Sequence, residues 1–410
     1  MLRGKLLSNF NHEELIFDKN NTIVMTISEL QKEFEKIYNK QTEHIFFCPG
    51  RVNLIGEHID YNGGQVMPCA ISLGTTLLIA KNDANIFRFH AVDFPEAATL
   101  ELNKNGYTKS GPEWYNYPVG VLHEMQQKGI ALTGLDFLFS GNLPVGSGLS
   151  SSASIEVLTA YAINTMFNGA LSNTDLAILG KKVENDFMGL NSGIMDQFAV
   201  AMGKEGQAIL LNTGTLDYEY LPFEIGDYVL AIVNSNKPRK LVESKYNERF
   251  NECRAALKKL QEKFAVQHLT DISSVEFEES KQLLGDPVLE KRALHVITEN
   301  DRVKKAKDAL VKKDIKTFGE LMYASHDSLQ HLYEVSGAEL DAIVDFCRTY
   351  KDCIGARMTG AGFGGCAIAL IKKDCFDDFA EKVSADYEAR IGYKPGVFSS
   401  IIAEGVRTIK

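Results

Sequence analysis

The sequence predicts an α+β fold in which mixed sheets and helices are shared between two halves of the chain. Segments typical of strands and segments typical of helices both occur, but they do not alternate regularly as in a doubly wound sheet. The 410 residues correspond to about two or three domains at roughly 150 residues per domain. A hydrophobic fraction of 45% and a charged fraction of 24% are ordinary for a globular protein and argue against disorder or a fibrous chain.

We place the boundary between the halves near Thr213. The N-terminal domain is then residues 1–213 and the C-terminal domain residues 214–410. No flexible Gly-, Ser- or Pro-rich linker stands at this point, so we expect the two halves to pack tightly.

Hydrophobic periodicity and turn residues predict the elements of the first half. An amphipathic helix is expected over residues 26–39. A strand from Ile45 to Cys48 is expected to end in a turn at Pro49-Gly50. Further strands are predicted at 66–71, 75–80, 135–143 and 208–212, and further helices at 150–166, 174–187 and 194–203.

The second half begins with a strand over residues 228–233 and a helix over 244–264. Residues 265–350 are mostly helical by period and show no recognisable chemistry. A strand, a Gly-rich turn and a second strand are predicted within 352–371, and a last strand within 397–403.

Charge and targeting signals limit the partners of the protein. With 44 basic and 54 acidic residues the net charge is −10, whereas a nucleic-acid-binding protein usually has a basic balance. No run of 18 apolar residues is present and the N-terminal segment lacks the apolar core of a signal peptide, so we expect no membrane association. Seven scattered cysteines without CxxC spacing fit a reducing compartment, and we expect a cytoplasmic location.

The segment PGRVNLIGEHIDYNGG, residues 49–64, interleaves charged and apolar residues. Arg51, Glu57, His58 and Asp60 stand among residues that prefer burial. Polar groups held against an apolar wall suit a sugar-sized polyol, because carboxylate and imidazole groups bind hydroxyls. A hydrogen-bonded turn is the alternative interpretation.

The segment PVGSGLSSSAS, residues 144–154, joins a predicted strand to a predicted helix. Two glycines let the backbone approach a ligand closely, and the helix N-terminus presents free N–H groups suited to phosphate. Three consecutive serines add hydroxyls for phosphate oxygens or a metal, although N-capping is the alternative. The segment is not a Walker A loop, since no GxxxxGK[ST] sequence occurs in the chain.

Two carboxylates stand out in residues 181–198, KKVENDFMGLNSGIMDQF. Glu184 lies beside the predicted buried stripe of its helix, and Asp196 lies inside an apolar helix. Acidic residues are rarely buried without a partner, although both side chains could simply face solvent. Next to the serine segment, one carboxylate could bind Mg²⁺ and the other could act as a base near a hydroxyl.

The segment GAGFGG, residues 360–365, matches the GxGxxG pattern of dinucleotide-binding proteins. A dinucleotide fingerprint must open a helix, whereas a strand is predicted directly after this segment. We therefore expect a Gly-rich turn against whose backbone another loop packs.

Together these segments resemble the three motifs of the GHMP small-molecule kinases, at residues 51–58, 144–154 and 359–365. Within that family the first motif resembles the galactokinase signature GRVNLIGEHxDYNGG. The chain departs from the galactokinase pattern at Ile59, where Thr is usual, and at Ser192, where Cys is frequent. We expect Ile59 to face away from the sugar.

The resemblance implies a two-domain GHMP kinase fold with the active site in the cleft between the domains, and ATP and Mg²⁺ as cofactors. Asp196 would be the catalytic carboxylate near the anomeric hydroxyl, and Arg51 would stabilise transition-state charge between that hydroxyl and the γ-phosphate. The residues implied to bind galactose are Glu57, His58, Asp60, Gly193 and Tyr246. Those implied to hold Mg²⁺ are Ser152 and Glu184. Those implied to cradle the ATP phosphates are Gly146, Ser147, Gly148, Leu149, Ser150, Ser151 and Ser152.

The activity implied is the ATP-dependent phosphorylation of α-D-galactose at the C1 hydroxyl, giving α-D-galactose 1-phosphate and ADP in galactose catabolism. The expected partners are galactose and MgATP, with no nucleic acid, membrane or obligate protein partner. One alternative is a related kinase acting on N-acetylgalactosamine, mevalonate or homoserine. Another is a non-catalytic sensor that binds galactose and ATP.

Overall fold

The computed structural model describes residues 25–144, 146–237 and 242–409. The N-terminal segment in which no signal peptide is expected lies outside these ranges. In chain order the described strands are β1 (His44–Asn53), β2 (Gln65–Val66), β3 (Pro68–Asn82), β4 (Ile86–Ala91), β5 (Ala98–Glu101), β6 (Gly134–Gly141), β7 (Gln207–Asn212), β8 (Tyr218–Pro222), β9 (Tyr228–Asn234), β10 (Cys353–Thr359), β11 (Cys366–Lys372), β12 (Gly396–Ser400) and β13 (Arg407–Thr408).

The helices are placed between and around these strands. In chain order the described α-helices are α1 (Ile27–Tyr38), α2 (Asn116–Gln127), α3 (Ser151–Met166), α4 (Asn173–Lys182), α5 (Met195–Met202), α6 (Val242–Leu260), α7 (Ser274–Glu278), α8 (Pro287–Val311), α9 (Ile315–Ser328), α10 (Ala338–Thr349) and α11 (Phe376–Ile391). None of the described helices is long and apolar enough to cross a bilayer.

The strands form three sheets. The six-stranded sheet has the order β13-β1-β3-β6-β4-β5 and is antiparallel except for the parallel pair β4–β6. A four-stranded sheet has the order β10-β11-β9-β12, and a three-stranded sheet has the order β2-β7-β8. The predicted α+β class is therefore confirmed. Because β13 pairs with β1, the end of the described chain completes the sheet that the first strand begins.

The predicted end of the first strand at Pro49-Gly50 is wrong. Strand β1 continues to Asn53, and a bulge between Pro49 and Arg51 absorbs the irregular pair of residues. Gly50 is needed in this bulge because an added Cβ would lie 2.6 Å from the Leu149 carbonyl oxygen. The Arg51 N–H donates to that same oxygen at 3.1 Å, which ties the strand to the serine segment.

The prediction of two separate strands at 66–71 and 75–80 is also wrong. Residues 68–82 make one long strand, β3, which pairs with β1 on one side and β6 on the other. The helix predicted over 174–187 is helical throughout, but α4 ends at Lys182 and a π-helical turn follows over Val183–Phe187. A π-helical turn frequently marks a functional position.

In the second half, the helical prediction for 265–350 is confirmed by α7 to α10, and the strand–turn–strand prediction for 352–371 by β10 and β11. The last predicted strand is present as β12, whereas the short β13 was not predicted. Buried apolar residues from both halves, such as Phe46 and Ile232, belong to one contiguous cluster.

Candidate active site

A cavity of about 250 Å³ collects the segments singled out in the sequence. The residues lining it are Arg51, Glu57, His58, Asp60, Gly146, Gly148, Ser150, Ser151, Ser152, Glu184, Leu190, Ser192, Gly193, Met195, Asp196, Tyr246, Asn247, Gly360 and Ala361. Of the predicted site residues, only Ser147 and Leu149 do not line the cavity; both are buried beside it. Segments from both halves of the sequence thus meet at one place.

Arg51 and Asp196 form the best-aligned ion pair in the cavity. Arg51 donates from Nε to Oδ1 and from Nη2 to Oδ2 of Asp196, both at 2.7 Å. Its third nitrogen, Nη1, donates to the Gly148 carbonyl oxygen at 2.7 Å. The side chain of Asp196 stays 30% exposed, so the carboxylate faces the cavity while the guanidinium behind it is 4% exposed. The bidentate geometry fixes the orientation of the acid.

The serine segment turns sharply into helix α3. Ser150 stands at the N-cap position with φ 65°, in the left-handed region that non-glycine residues rarely adopt. Its hydroxyl makes no cap bond and instead donates to Asp196 Oδ2 at 2.5 Å. N-capping therefore does not explain Ser150. The free N–H groups of the first turn of α3 remain beside the cavity, where an anion is favoured.

Glu184 lies in the π-helical turn and accepts hydrogen bonds on both oxygens. Ser152 Oγ donates to Oε1 at 3.1 Å, while Ser192 Oγ and Gln197 Nε2 donate to Oε2 at 2.6 and 2.9 Å. Burial raises the pKa of Glu184 above its usual range. Within the described ranges no group of three or more His, Cys, Asp or Glu could hold a metal. The carboxylate and the Ser152 hydroxyl fit Mg²⁺, which keeps most of its other ligands as water and phosphate oxygens.

Asp60 and Gly193 touch at the predicted sugar end. An added Cβ on Gly193 would lie 1.9 Å from Asp60 Oδ2, so only glycine fits at this position. Loss of solvent raises the pKa of Asp60 to about 7, and the neighbouring charges of Asp196 and Glu57 add to the effect. Tyr246 lies nearby on helix α6, with its ring centroid 5.5 Å from that of His58.

Glu57 and His58 connect the first motif to the Gly-rich turn. Glu57 accepts from Asn53 Nδ2 on Oε2 at 2.9 Å and from the Gly360 N–H on Oε1 at 2.6 Å. His58 Nε2 lies 3.2 Å from the Ala361 carbonyl oxygen, which can only accept, so Nε2 carries the proton. Desolvation lowers the pKa of His58 to about 3 and keeps the ring neutral.

The neutral His58 ring leaves Nδ1 as an acceptor, and the Tyr61 hydroxyl lies 2.9 Å from it. Both ring nitrogens are therefore engaged by protein groups. The GAGFGG segment is a turn between β10 and β11, and its backbone receives the loop that carries Glu57 and His58, as expected. Ile59 is fully buried and is not among the residues that line the cavity.

Sequence reasoning did not assign several residues in and around the cavity to the site, among them Ser192, Asn247, Gln197 and Arg357. Ser192 and Asn247 line it and stand next to predicted residues, so their position in the sequence was the available signal. Gln197 follows Asp196 and donates to Glu184 from the buried side of α5. Arg357 lies 3.4 Å from Glu57 Oε1, and its only signal was a basic residue inside an apolar strand.

Three family descriptions match the sequence. Residues 32–81 match the galactokinase galactose-binding signature, residues 116–204 the N-terminal domain of GHMP kinases, and residues 306–389 the C-terminal domain of GHMP kinases. The galactokinase of Clostridium tetani is 52% identical over 386 residues, which are 94% of this chain and 98% of that protein. The galactokinase of Lactiplantibacillus plantarum is 47% identical over 388 residues, 94% of this chain and 100% of that protein.

Solved structures give the same result. The crystal structure of Lactococcus lactis galactokinase complexed with galactose is similar with a TM-score of 0.90 and 42% identity, covering 93% of this chain and 99% of that chain. The Methanococcus jannaschii mevalonate kinase is similar with a TM-score of 0.64 and 22% identity, covering 88% of this chain and 99% of that chain. The second likeness extends to the fold alone.

Proposed function

The chain belongs to the galactokinases of the GHMP kinase family, and from this premise we propose how its cleft transfers the γ-phosphoryl group of ATP to the C1 hydroxyl of α-D-galactose. The products are α-D-galactose 1-phosphate and ADP. The observation that carries the proposal is the convergence of Arg51, Asp196 and the serine segment on one cavity. The alternatives with other substrates or without catalysis are not favoured.

Asp196 and Arg51 are proposed as the catalytic residues. Asp196 orients the C1 hydroxyl and accepts its proton as the oxygen attacks the γ-phosphorus. Arg51 stabilises the negative charge that spreads over the transferred group in the transition state. The proposal is supported by the bidentate pair, which holds the guanidinium and the carboxylate side by side. The Arg51 hydrogen bond to Gly148 keeps the pair next to residues 146–152.

The ATP phosphates are proposed to lie on residues 146–152, against the N-terminus of α3. Backbone N–H groups at a helix start attract phosphate, and the serine hydroxyls add further donors. Ser152 and Glu184 are proposed to hold Mg²⁺, which neutralises phosphate charge when it is bound. The contact between the Ser152 hydroxyl and Glu184 Oε1 supports this pairing.

Galactose is proposed to bind between the first motif and helix α6. The residues proposed to surround it are Glu57, His58, Asp60, Gly193 and Tyr246, which all line the cavity. Carboxylates accept hydrogen bonds from sugar hydroxyls, and a buried site of this kind rejects analogues that lack a hydroxyl. His58 is proposed to contribute by holding the Gly-rich turn, since both of its ring nitrogens already have protein partners.

The domain boundary near Thr213, with domains 1–213 and 214–410, is retained as a proposal, and the β7–β8 hairpin spans it. A cytoplasmic location is likewise proposed. It is supported by the seven cysteines, all of them in the described part of the chain, which form no disulfide bond there. We also propose that the protein acts without an obligate protein partner and without binding nucleic acid or membrane.

The activity is tested by incubating the purified protein with MgATP and galactose and measuring ADP release. We expect turnover with galactose and strong discrimination against mevalonate, with N-acetylgalactosamine as a closer competitor in the same panel. The product is identified as galactose 1-phosphate by NMR. ADP release no faster than in the absence of sugar would contradict the proposal.

A further inference from the structure

Arg357 is the largest fully buried side chain in the part of the chain that the structure describes. It stands on β10, which belongs to the four-stranded sheet, and no part of its guanidinium reaches solvent. A buried charge is costly unless it is paired and hydrogen-bonded. The buried guanidinium of Arg357 therefore needs a specific partner of opposite charge.

That partner is Glu57, which is 1% exposed. Arg357 Nη2 lies 3.4 Å from Glu57 Oε1, and Nη1 donates to the Asn53 carbonyl oxygen at 2.8 Å. Burial raises the pKa of Glu57, while the charges of Arg357 and Arg51 oppose this increase. Nε and Nη2 of Arg357 make no hydrogen bond with any described residue, so Nη2 contacts Glu57 as an ion pair without a hydrogen bond. The hydrogen bond from Nη1 to Asn53 holds the guanidinium in place beside that carboxylate.

The two oxygens of Glu57 are used unequally. Oε1 accepts from the Gly360 N–H and lies 3.4 Å from Arg357 Nη2, whose positive charge attracts it without a hydrogen bond. Oε2 accepts only from Asn53 Nδ2 among the described groups, which leaves one acceptor direction open. Each carboxylate oxygen can accept about two hydrogen bonds. Because Glu57 lines the cavity, Oε2 can take one hydroxyl hydrogen from a ligand.

We propose that Arg357 is a positioning residue for the sugar: from the C-terminal half it fixes Glu57 so that Oε2 accepts one galactose hydroxyl. This inference rests on the proposed function. Arg357 itself does not line the cavity, so it acts through Glu57. The Gly360 N–H holds the same oxygen from the adjacent turn, and the two contacts together connect β10 to the first motif.

The test compares Arg357→Met and Arg357→Lys with the wild-type enzyme, in separate titrations of galactose and ATP. For Arg357→Met we expect the KM for galactose to rise about tenfold or more, with the KM for ATP nearly unchanged. Arg357→Lys keeps the charge and should recover part of the loss. A purely structural role would lower stability without separating the two KM values.

A double-mutant cycle with Glu57→Gln shows whether Arg357 acts through Glu57. In the Glu57→Gln background we expect Arg357→Met or Arg357→Lys to add little to the KM for galactose. Should Arg357→Met not fold, the cycle with Arg357→Lys gives the same answer. An equal increase in both backgrounds, or a loss confined to kcat, would overturn the inference.

Arg292→Met is the matched control, because Arg292 is also buried and paired, with Glu252 and Glu334, away from the cavity. It should lower the melting temperature and leave the KM for galactose unchanged; a matching rise in that KM would refute a specific role for Arg357. Wild-type inactivity towards galactose would instead contradict the proposed function.

A panel of monodeoxygalactoses identifies the hydroxyl that donates to Glu57. For the analogue that lacks this hydroxyl, we expect Arg357→Met to leave kcat/KM unchanged.

Discussion

Two arginine–carboxylate pairs border the cleft, and they are built differently. Arg51 and Asp196 share two hydrogen bonds of 2.7 Å, and the Asp196 side chain is 30% exposed. Arg357 and Glu57 have a single contact of 3.4 Å, and their side chains are 0% and 1% exposed. One pair thus turns its carboxylate towards the reactants, while the other holds a carboxylate from behind.

The two pairs should respond differently when one partner is removed. When Arg51 is removed from the open pair, water can solvate the Asp196 carboxylate left behind, so the fold tolerates the loss while the chemistry does not. At the buried pair, the remaining charge has no solvent, so binding geometry and stability both change. Substitutions at the open pair should therefore affect mainly kcat, and substitutions at the buried pair mainly the KM for galactose.

The largest effect is expected at Arg51. Replacing Arg51 by Met removes the positive charge beside the transferred group, and kcat should fall by about 10³–10⁵-fold. The melting temperature should change little, because the Asp196 left behind remains solvated from the cavity side. Single-turnover kinetics and thermal unfolding measure the two quantities. Unfolding of the variant at room temperature would show that the open pair is structural after all.

Asp196→Asn should have the next largest effect. The amide keeps the shape of the side chain but cannot accept the proton of the sugar hydroxyl, so kcat should fall by about 10²–10⁴-fold. Galactose and ATP should still bind, as calorimetry can measure. Turnover near the wild-type rate would remove Asp196 from its catalytic role.

Gly193→Ala tests how tightly the sugar end is packed. The new Cβ would lie 1.9 Å from Asp60 Oδ2, so Asp60 must move away from its binding position. A displacement of about 1 Å can cost roughly 100-fold, and we expect this loss in kcat/KM for galactose. Gly141→Ala is the control, since its nearest contacts would be an ordinary 3.8 Å. Equal kinetics of the two variants would contradict close packing at Asp60.

The smallest effect is expected from a change of pH, which titrates the Asp60 carboxylate. Because desolvation raises the pKa of Asp60 to about 7, this group becomes protonated as the pH falls through 7. The protonated form loses acceptor capacity, so galactose affinity should weaken about tenfold between roughly pH 8 and pH 6. Asp60→Asn should flatten this dependence in calorimetric titrations. A flat profile in the wild-type protein would show that the ionised form is not needed.

The open pair could be predicted from the sequence, whereas the buried pair could not. Arg51, Asp196 and the three serines are residue types that packing alone does not explain in their segments, so they were visible without coordinates. In the sequence, Arg357 is one basic residue in a predicted strand. Its role depends on Glu57, which lies 300 positions earlier in the chain. The bulge at Pro49-Gly50 was missed for a related reason: the partner strand, rather than the local dipeptide, decides whether the chain turns.

The pairing of β13 with β1 has a consequence for how the protein is made. The edge of β1 at Phe46 and Phe47 is covered by Thr408 and Arg407, and the Arg407 guanidinium lies 4.6 Å above the Phe47 ring. During translation this edge emerges from the ribosome before its covering strand, β13, which follows all the other described strands and helices. An uncovered strand edge invites pairing with other chains. The nascent polypeptide thus exposes an unpaired strand edge until β13 has been made, and variants truncated before β13 should aggregate rather than fold.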